Sequence, residues 1–230
     1  LTRTIVITGA TGDIAQELIT RLQNDHLILL SRNLSVLTEK YGHLKNVTLM
    51  ENAALEKNPP MKVDILINNA GFGVFKKLSA LTESEIKQQF AVNTLFAIQC
   101  VRYFNPQVQL ITIASIAGKI PSSKSTIYAA SKAAIISFSD ALRMERQELL
   151  VTTVNTGPVL TKFHQNHSEY LKKVGKNAVS AAFVAEKIIH ILGKNKPELN
   201  LPWQMAVVAK CRALAPILTD RMARKFFDFK

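Results

Sequence analysis

Seven short apolar runs, each followed by a longer stretch of helical periodicity or a polar turn, constrain this chain more than any other feature. Strands are expected at 4–8, 26–31, 47–50, 63–68, 108–114, 151–155 and 198–202, all rich in β-formers and flanked by turn residues. Helices are expected between them at 13–23, 34–41, 83–104, 127–149 and 180–192. Parallel strands need long crossovers, usually helical, so this alternation builds a doubly wound parallel sheet of about seven strands with helices on both faces. Runs such as Asp64-Ile65-Leu66-Ile67-Asn68, apolar at their centre, suit strands covered on both sides. No long linker or repeat interrupts the rhythm, so residues 1–202 read as one α/β catalytic domain.

Residues 203–230 leave that rhythm. Trp203, Met205, Leu214, Ile217, Leu218, Met222, Phe226, Phe227 and Phe229 are interspersed with six Lys/Arg, which reads as an amphipathic helical tail interrupted near Pro216. Packing over the domain or another subunit is its expected role, and contact with a membrane surface is the alternative. From Thr161 onward the chain carries 13 Lys/Arg against 5 Asp/Glu, or +8 of the net +12. A solvated surface accounts for that balance; an anionic substrate, an acidic carrier or a membrane surface would exploit it. No recognition module or aromatic-rich basic surface accompanies the charge, so nucleic acid is not expected as a partner. No apolar run approaches the ~20 residues of a bilayer span, and no leader precedes the first strand, so a cytoplasmic location is expected. Cys100 and Cys211 form no paired motif, and His164 and His167 lack further ligands nearby. Neither a disulfide framework nor a metal is expected.

The first strand runs into Thr8-Gly9-Ala10-Thr11-Gly12-Asp13-Ile14-Ala15 and then a helix. Glycine lets the backbone turn sharply and approach an anion without a Cβ in the way. The free N–H groups at the helix start attract that anion. A glycine pair alone is a weak signal; a strand before it and a helix after it make a dinucleotide-binding turn, with Gly9, Thr11, Gly12 and Ile14 as contacts. Asp13 is the odd residue, because a carboxylate facing a pyrophosphate would repel it; its side chain is expected to turn aside. A second signal is Tyr128-Ala129-Ala130-Ser131-Lys132. Residues four apart share a helix face, so phenol and ammonium can address one site. A nearby ammonium lowers a phenol pKa from its usual ~10. The phenol can then exchange a proton with a carbonyl or alcohol oxygen near neutral pH. By itself such a pair is usually ordinary helix surface.

Together these segments resemble the short-chain dehydrogenase/reductase family, whose turn is Thr-Gly-x-x-x-Gly-x-Gly. Asp13 and Ala15 stand at its last two glycine positions, and Gly12 is added. The resemblance covers roughly residues 3–200 and implies a Rossmann-type fold that binds NAD(P). Ser31-Arg32-Asn33 closes the second strand where NAD-specific members carry an acidic residue. Arg32 would pair with a 2′-phosphate, so NADP(H) is expected over NAD(H). Asn52 and Ala53 resemble the adenine-side position. Asn69, Ala70 and Gly71 belong to the family's Asn-Asn-Ala-Gly segment, with Asp64 in its expected place before the strand. The resemblance implies that Ser115 holds the substrate oxygen and that Asn93 supports a water-linked proton path to Lys132. Tyr128 is the implied general acid/base, and Lys132 the group that binds the nicotinamide ribose. In Asn155-Thr156-Gly157-Pro158-Val159-Leu160-Thr161, Thr156 replaces the usual proline, and Gly157, Val159 and Thr161 are implied cofactor contacts.

The implied reaction moves a hydride from the nicotinamide to a carbonyl carbon while Tyr128 protonates the oxygen; the reverse uses the same residues. Phe72, Val74, Ile120, Pro121 and Phe163 would line an apolar pocket for a hydrophobic ketone, aldehyde or acyl group. The helices at 83–104 and 127–149 resemble those that pair between family subunits, so a homodimer or homotetramer is expected. Two other functions compete. One is a nonenzymatic NADP-binding regulator on the same fold, against which the complete set Asn93, Ser115, Tyr128 and Lys132 argues. The other is a lipid-metabolising reductase directed to a membrane surface by its tail.

Overall fold

The computed structural model describes residues 2–161, 178–219 and 221. Its strands are β1 (Thr4–Thr8), β2 (His26–Ser31), β3 (Val47–Glu51), β4 (Val63–Asn68), β5 (Pro106–Ile113), β6 (Leu150–Thr156), β7 (Val159–Leu160), β8 (Val179–Ser180) and β9 (Glu198–Leu201). Seven of them form one parallel sheet in the order β3-β2-β1-β4-β5-β6-β9, while β7 and β8 pair separately. Val6 of β1 lies opposite Ile28 on one side and Leu66 on the other. Strand order therefore reverses between β1 and β4, and a crevice opens beyond their carboxyl ends.

Alternation along each strand divides the core in two. Ile5, Ile7, Leu27, Leu29, Ile65 and Ile67 face α1 (Asp13–Arg21), α2 (Leu34–Tyr41) and α7 (Ala181–His190). Val6, Ile28, Leu30, Leu66 and Leu110 face the other layer, built by α5 (Ala97–Phe104) and α6 (Thr126–Glu145). The buried residues of α1, Ala15, Leu18 and Ile19, follow the three-and-four spacing of one helix face. Each fully buried Leu or Ile here contributes about 1.5–3 kcal/mol relative to an exposed one.

The helix expected over 83–104 is three segments: α4 (Glu83–Phe90), a π-helical turn (Ala91–Phe96) and α5. The wider turn carries Asn93 and Thr94, both buried, whose side chains bond Phe72 and Ser131 across the layer. Those bonds offset the cost of an irregular turn. The helix expected to reach 149 stops at Glu145, because Arg146 leaves helical geometry and the chain turns into β6. A four-residue helix, α3 (Ala54–Lys57), and the two-residue strands β7 and β8 are additions to the expected elements.

After β9 comes α8 (Gln204–Leu214), which breaks at Ala215, one residue before Pro216. Met205, Ala206, Ala209 and Arg212 are its half-buried positions, and Arg212 donates to the Lys119 carbonyl at 3.0 Å. Trp203, Val207, Leu214, Ile217 and Leu218 are exposed, unlike a helix packed into its own domain on every apolar side. Among the described residues no helix is long and apolar enough to cross a membrane, and no group of His, Cys, Asp or Glu stands together as a metal shell. Phe163, His164, His167, Met222, Phe226, Phe227 and Phe229 lie outside the described residues.

Candidate active site

The turn after β1 is closed by side chains that take its carbonyl oxygens. Asn69 Nδ2 donates to the Thr8 and Gly9 carbonyls at 3.0 and 3.1 Å. Tyr41 Oη donates to the Ala10 carbonyl at 3.0 Å, and Gln16 Nε2 to that of Thr11 at 2.9 Å. Thr8 Oγ1 accepts from the Asn69 and Ala70 amides, which ties the turn to the end of β4. Gly9 has φ +62°, and a Cβ there would stand 2.8 Å from Ala70 Cα, so both conformation and contact require glycine. Gly12 starts α1 with no side-chain cap, and a helix start of this kind suits an anion.

The turn borders a cavity of about 920 Å³ at the carboxyl end of the sheet. Gly9, Thr11, Gly12 and Ile14 line it at the turn; Ser31, Arg32, Asn33 and Asn52 line it beside β2 and β3. Ser31 is buried and Arg32 exposed. Asn33 Oδ1 caps α2 by accepting from the Val36 amide. Asn52 Oδ1 is a buried oxygen with no hydrogen-bond partner, an acceptor that a ligand amino group would satisfy. Ala53, expected beside it, starts α3 instead and is not part of the wall. Asp13, whose side chain is expected to turn aside, is among the residues that border the cavity.

Asn69, Ala70 and Gly71 continue the wall toward Tyr128 and Lys132, which lie one turn apart on α6 and are both buried. Lys132 Nζ donates to the Ile113 carbonyl at 3.0 Å, and burial pushes its pKa down to about 8. Gly157, Val159 and Thr161 close this end, with Val159 held by the β7–β8 pair. The ring of Phe75 stands against Tyr128 with centroids 5.1 Å apart, and a Cβ on Gly73 would come within 2.9 Å of the Tyr128 ring.

Asn93 and Ser115 stand behind this wall rather than in it. Asn93 Oδ1 accepts from the Phe72 amide at 3.0 Å, while Nδ2 donates to the Phe72 carbonyl and to Ser131 Oγ. Ser115 Oγ donates to the Thr156 carbonyl at 3.3 Å and accepts from the Ala117 amide. Ala114 and Thr156, beside it, do line the cavity. Of the expected substrate-pocket residues, Phe72 borders the cavity, whereas Val74, Ile120 and Pro121 do not.

Two residues not anticipated from sequence shape the site. Tyr41 fixes the glycine turn, and Gln89, fully buried, accepts from the Val74 amide at 3.0 Å. Gln89 lies four residues before Asn93, so their shared face was a usable signal. Nothing near Tyr41 marked its hydroxyl.

One cavity that joins an uncapped helix start to a buried tyrosine–lysine pair, on this sheet order, has the architecture of NAD(P)-dependent dehydrogenases and reductases. The pattern of the short chain dehydrogenase family matches residues 3–172, and the chain belongs to that family. An uncharacterized oxidoreductase of Escherichia coli (strain K12), YbbO, is 31% identical over 153 residues, covering 60% of this chain and 57% of that protein. The chain thus spans little more than half of the first curated relatives it matches. A serine dehydrogenase complexed with NADP+ superposes with a TM-score of 0.76 at 22% identity, over 86% of this chain and 93% of that one. A short-chain dehydrogenase/reductase of Burkholderia phymatum in complex with NAD gives 0.79 at 18% identity, over 94% and 95%. At these identities the likeness is one of fold.

Proposed function

We propose that this chain is an NADPH-dependent reductase of hydrophobic ketones, aldehydes or acyl groups. The observation that carries the reading is that Tyr128 and Lys132 border the same cavity as the Gly9–Gly12 turn. The cradle suits a dinucleotide: the α1 start is uncapped, and Asn52 Oδ1 waits for a donor. The α1 N-terminus would hold the pyrophosphate, and Asn52 the adenine amino group. Ser31 and Arg32 would hold a 2′-phosphate, an anion that a carboxylate at Ser31 would repel. Gly157, Val159 and Thr161 would meet the carboxamide. A nicotinamide bound there supplies the hydride.

Tyr128 donates the proton to the substrate oxygen, and Ser115 would orient that oxygen once its hydroxyl turns from the Thr156 carbonyl toward the cavity. Lys132, a cation below about pH 8, binds ribose hydroxyls and favours the phenolate that proton donation leaves behind. Asn93 is a positioning residue that fixes Phe72 and the wall beside Lys132. A Cβ on Gly71 would stand 3.2 Å from both Asn93 Oδ1 and Lys132 Nζ, so the glycine keeps open the space through which water would resupply the proton. Leu95 and Met144, 62% and 80% exposed on the α4–α6 layer, support a homodimer through that layer.

The reading is tested by turnover of a panel of ketones, aldehydes and acyl thioesters with NADPH and with NADH. Activity should appear with NADPH, and Arg32→Asp should erode the NADPH preference by at least about tenfold, given the strength of charge-assisted contacts. An undiminished preference would place the 2′-phosphate elsewhere, and no turnover across the panel would favour the nonenzymatic reading.

A further inference from the structure

We infer that the exposed apolar stripe of α8 docks the protein on the surface of an anionic lipid bilayer. Trp203, Val207 and Leu214 recur at helical spacing and are 69%, 51% and 88% exposed; Ile217 and Leu218, just beyond the break at Ala215, are 70% and 61% exposed. The half-buried positions Met205, Ala206, Ala209 and Arg212 recur on the opposite side, and the bond from Arg212 to the Lys119 carbonyl fixes which side faces outward. A soluble surface rarely leaves so many large apolar side chains together without a use for them.

Charge decides what covers the stripe. Between Glu198 and Asp220 the only ionised side chains are Lys210 and Arg212, and Lys210 is exposed beside the stripe. A two-fold contact between copies would set the Lys210 ammonium of each copy against the same apolar stripe, with no carboxylate on the helix to answer it. Anionic headgroups do answer it, and a tryptophan at the start of the helix suits the headgroup level.

The location links docking to chemistry. Gly157, in the cavity wall, donates its amide proton to the Leu201 carbonyl at 2.6 Å, and a Cβ on Gly157 would stand 3.4 Å from Pro202. The stripe therefore begins at the residue after one that packs against the cavity wall at Gly157. Docking by α8 would then hold a membrane-dissolved carbonyl compound beside the cavity wall at Gly157. That consequence rests on the reductase reading; the docking itself does not.

Trp203 is the only tryptophan of the chain, so its emission reports the stripe directly. Full-length protein is titrated at low salt with phosphatidylcholine vesicles and with vesicles that also contain phosphatidylserine, followed by emission and flotation. Docking predicts blue-shifted emission, quenching by acyl-brominated lipid and flotation, all with the anionic vesicles. Lys210→Gln should weaken partitioning roughly fivefold, the loss of one surface cation. Leu214→Ser should weaken it at least about tenfold, the loss of one inserted side chain. Unchanged emission without flotation overturns the inference. So does emission already blue-shifted without lipid and unmoved by it: a light-scattering mass that halves in Leu214→Ser then identifies a second copy on the stripe, and a mass unchanged by Leu214→Ser the chain's own C-terminal residues. Turnover of a water-soluble aldehyde without lipid tests the reductase reading separately. Turnover without docking sinks only this inference, and docking without turnover sinks only that reading.

Discussion

At the turn end of the cavity, the carbonyls from Thr8 to Thr11 are all taken by neutral donors, whereas at the Tyr128 end an ammonium is buried against the Ile113 carbonyl. In the proposed reading the first end is held open for an anion by hydrogen bonds made before the anion arrives, so little reorganisation would accompany binding. The second end holds a charge that folding alone does not compensate. Binding and reactivity thus draw on different physics within one cavity, and substitutions should separate them.

The largest separation is expected at Lys132. Its folded-state pKa of about 8 lies below the ordinary 10.5, so the folded chain penalises the protonated form. The penalty is full below about pH 8, fades between 8 and 10.5, and is gone above that range. Lys132→Met should therefore stabilise the cofactor-free chain at pH 7 by up to about 3 kcal/mol, an advantage that shrinks as pH rises. Turnover should fall by about 10²-fold or more. Denaturant unfolding from pH 7 to 10 checks the sign; a variant less stable than its parent at pH 7 would mean that the ammonium is well compensated.

A smaller effect is expected at the other end. The Tyr41 hydroxyl is buried, and burial pushes its pKa up to about 12, so it remains a donor throughout the working range. Tyr41→Phe keeps the ring but leaves the buried Ala10 carbonyl unpartnered, a cost of about 1–3 kcal/mol. Cofactor affinity should drop by roughly five- to tenfold while kcat stays within about twofold, since the role proposed for the turn is to bind and not to react. Fluorescence titration of NADPH checks this. A lower melting temperature with unchanged affinity would reduce the hydroxyl to a prop of the fold and blur the contrast between the two ends.

Legibility in the sequence followed the same division between local and distant causes. The parallel sheet could be read because runs such as Ile5-Val6-Ile7 and Asp64-Ile65-Leu66-Ile67-Asn68 carry their periodicity locally. The π turn at Ala91–Phe96 could not, since one wider turn barely disturbs an apolar repeat, and β7 and β8 are too short to show one. Within the site, Gly9, Asn69, Tyr128 and Lys132 were visible because each stands in a local motif. Tyr41 was not, because its partner lies 31 residues away. Asn93 and Ser115 stand out in the sequence, but their polar atoms turn to Phe72, Ser131, Thr156 and Ala117, which no motif spells out.

The measurement that bears most directly on the account is single-turnover reduction by Tyr128→Phe, with NADPH binding measured on the same sample. Loss of the phenolic proton alone should slow reduction by about 10³-fold and leave NADPH affinity within about twofold of the parent. Reduction at the parental rate with the cofactor bound would contradict the role assigned to that phenol.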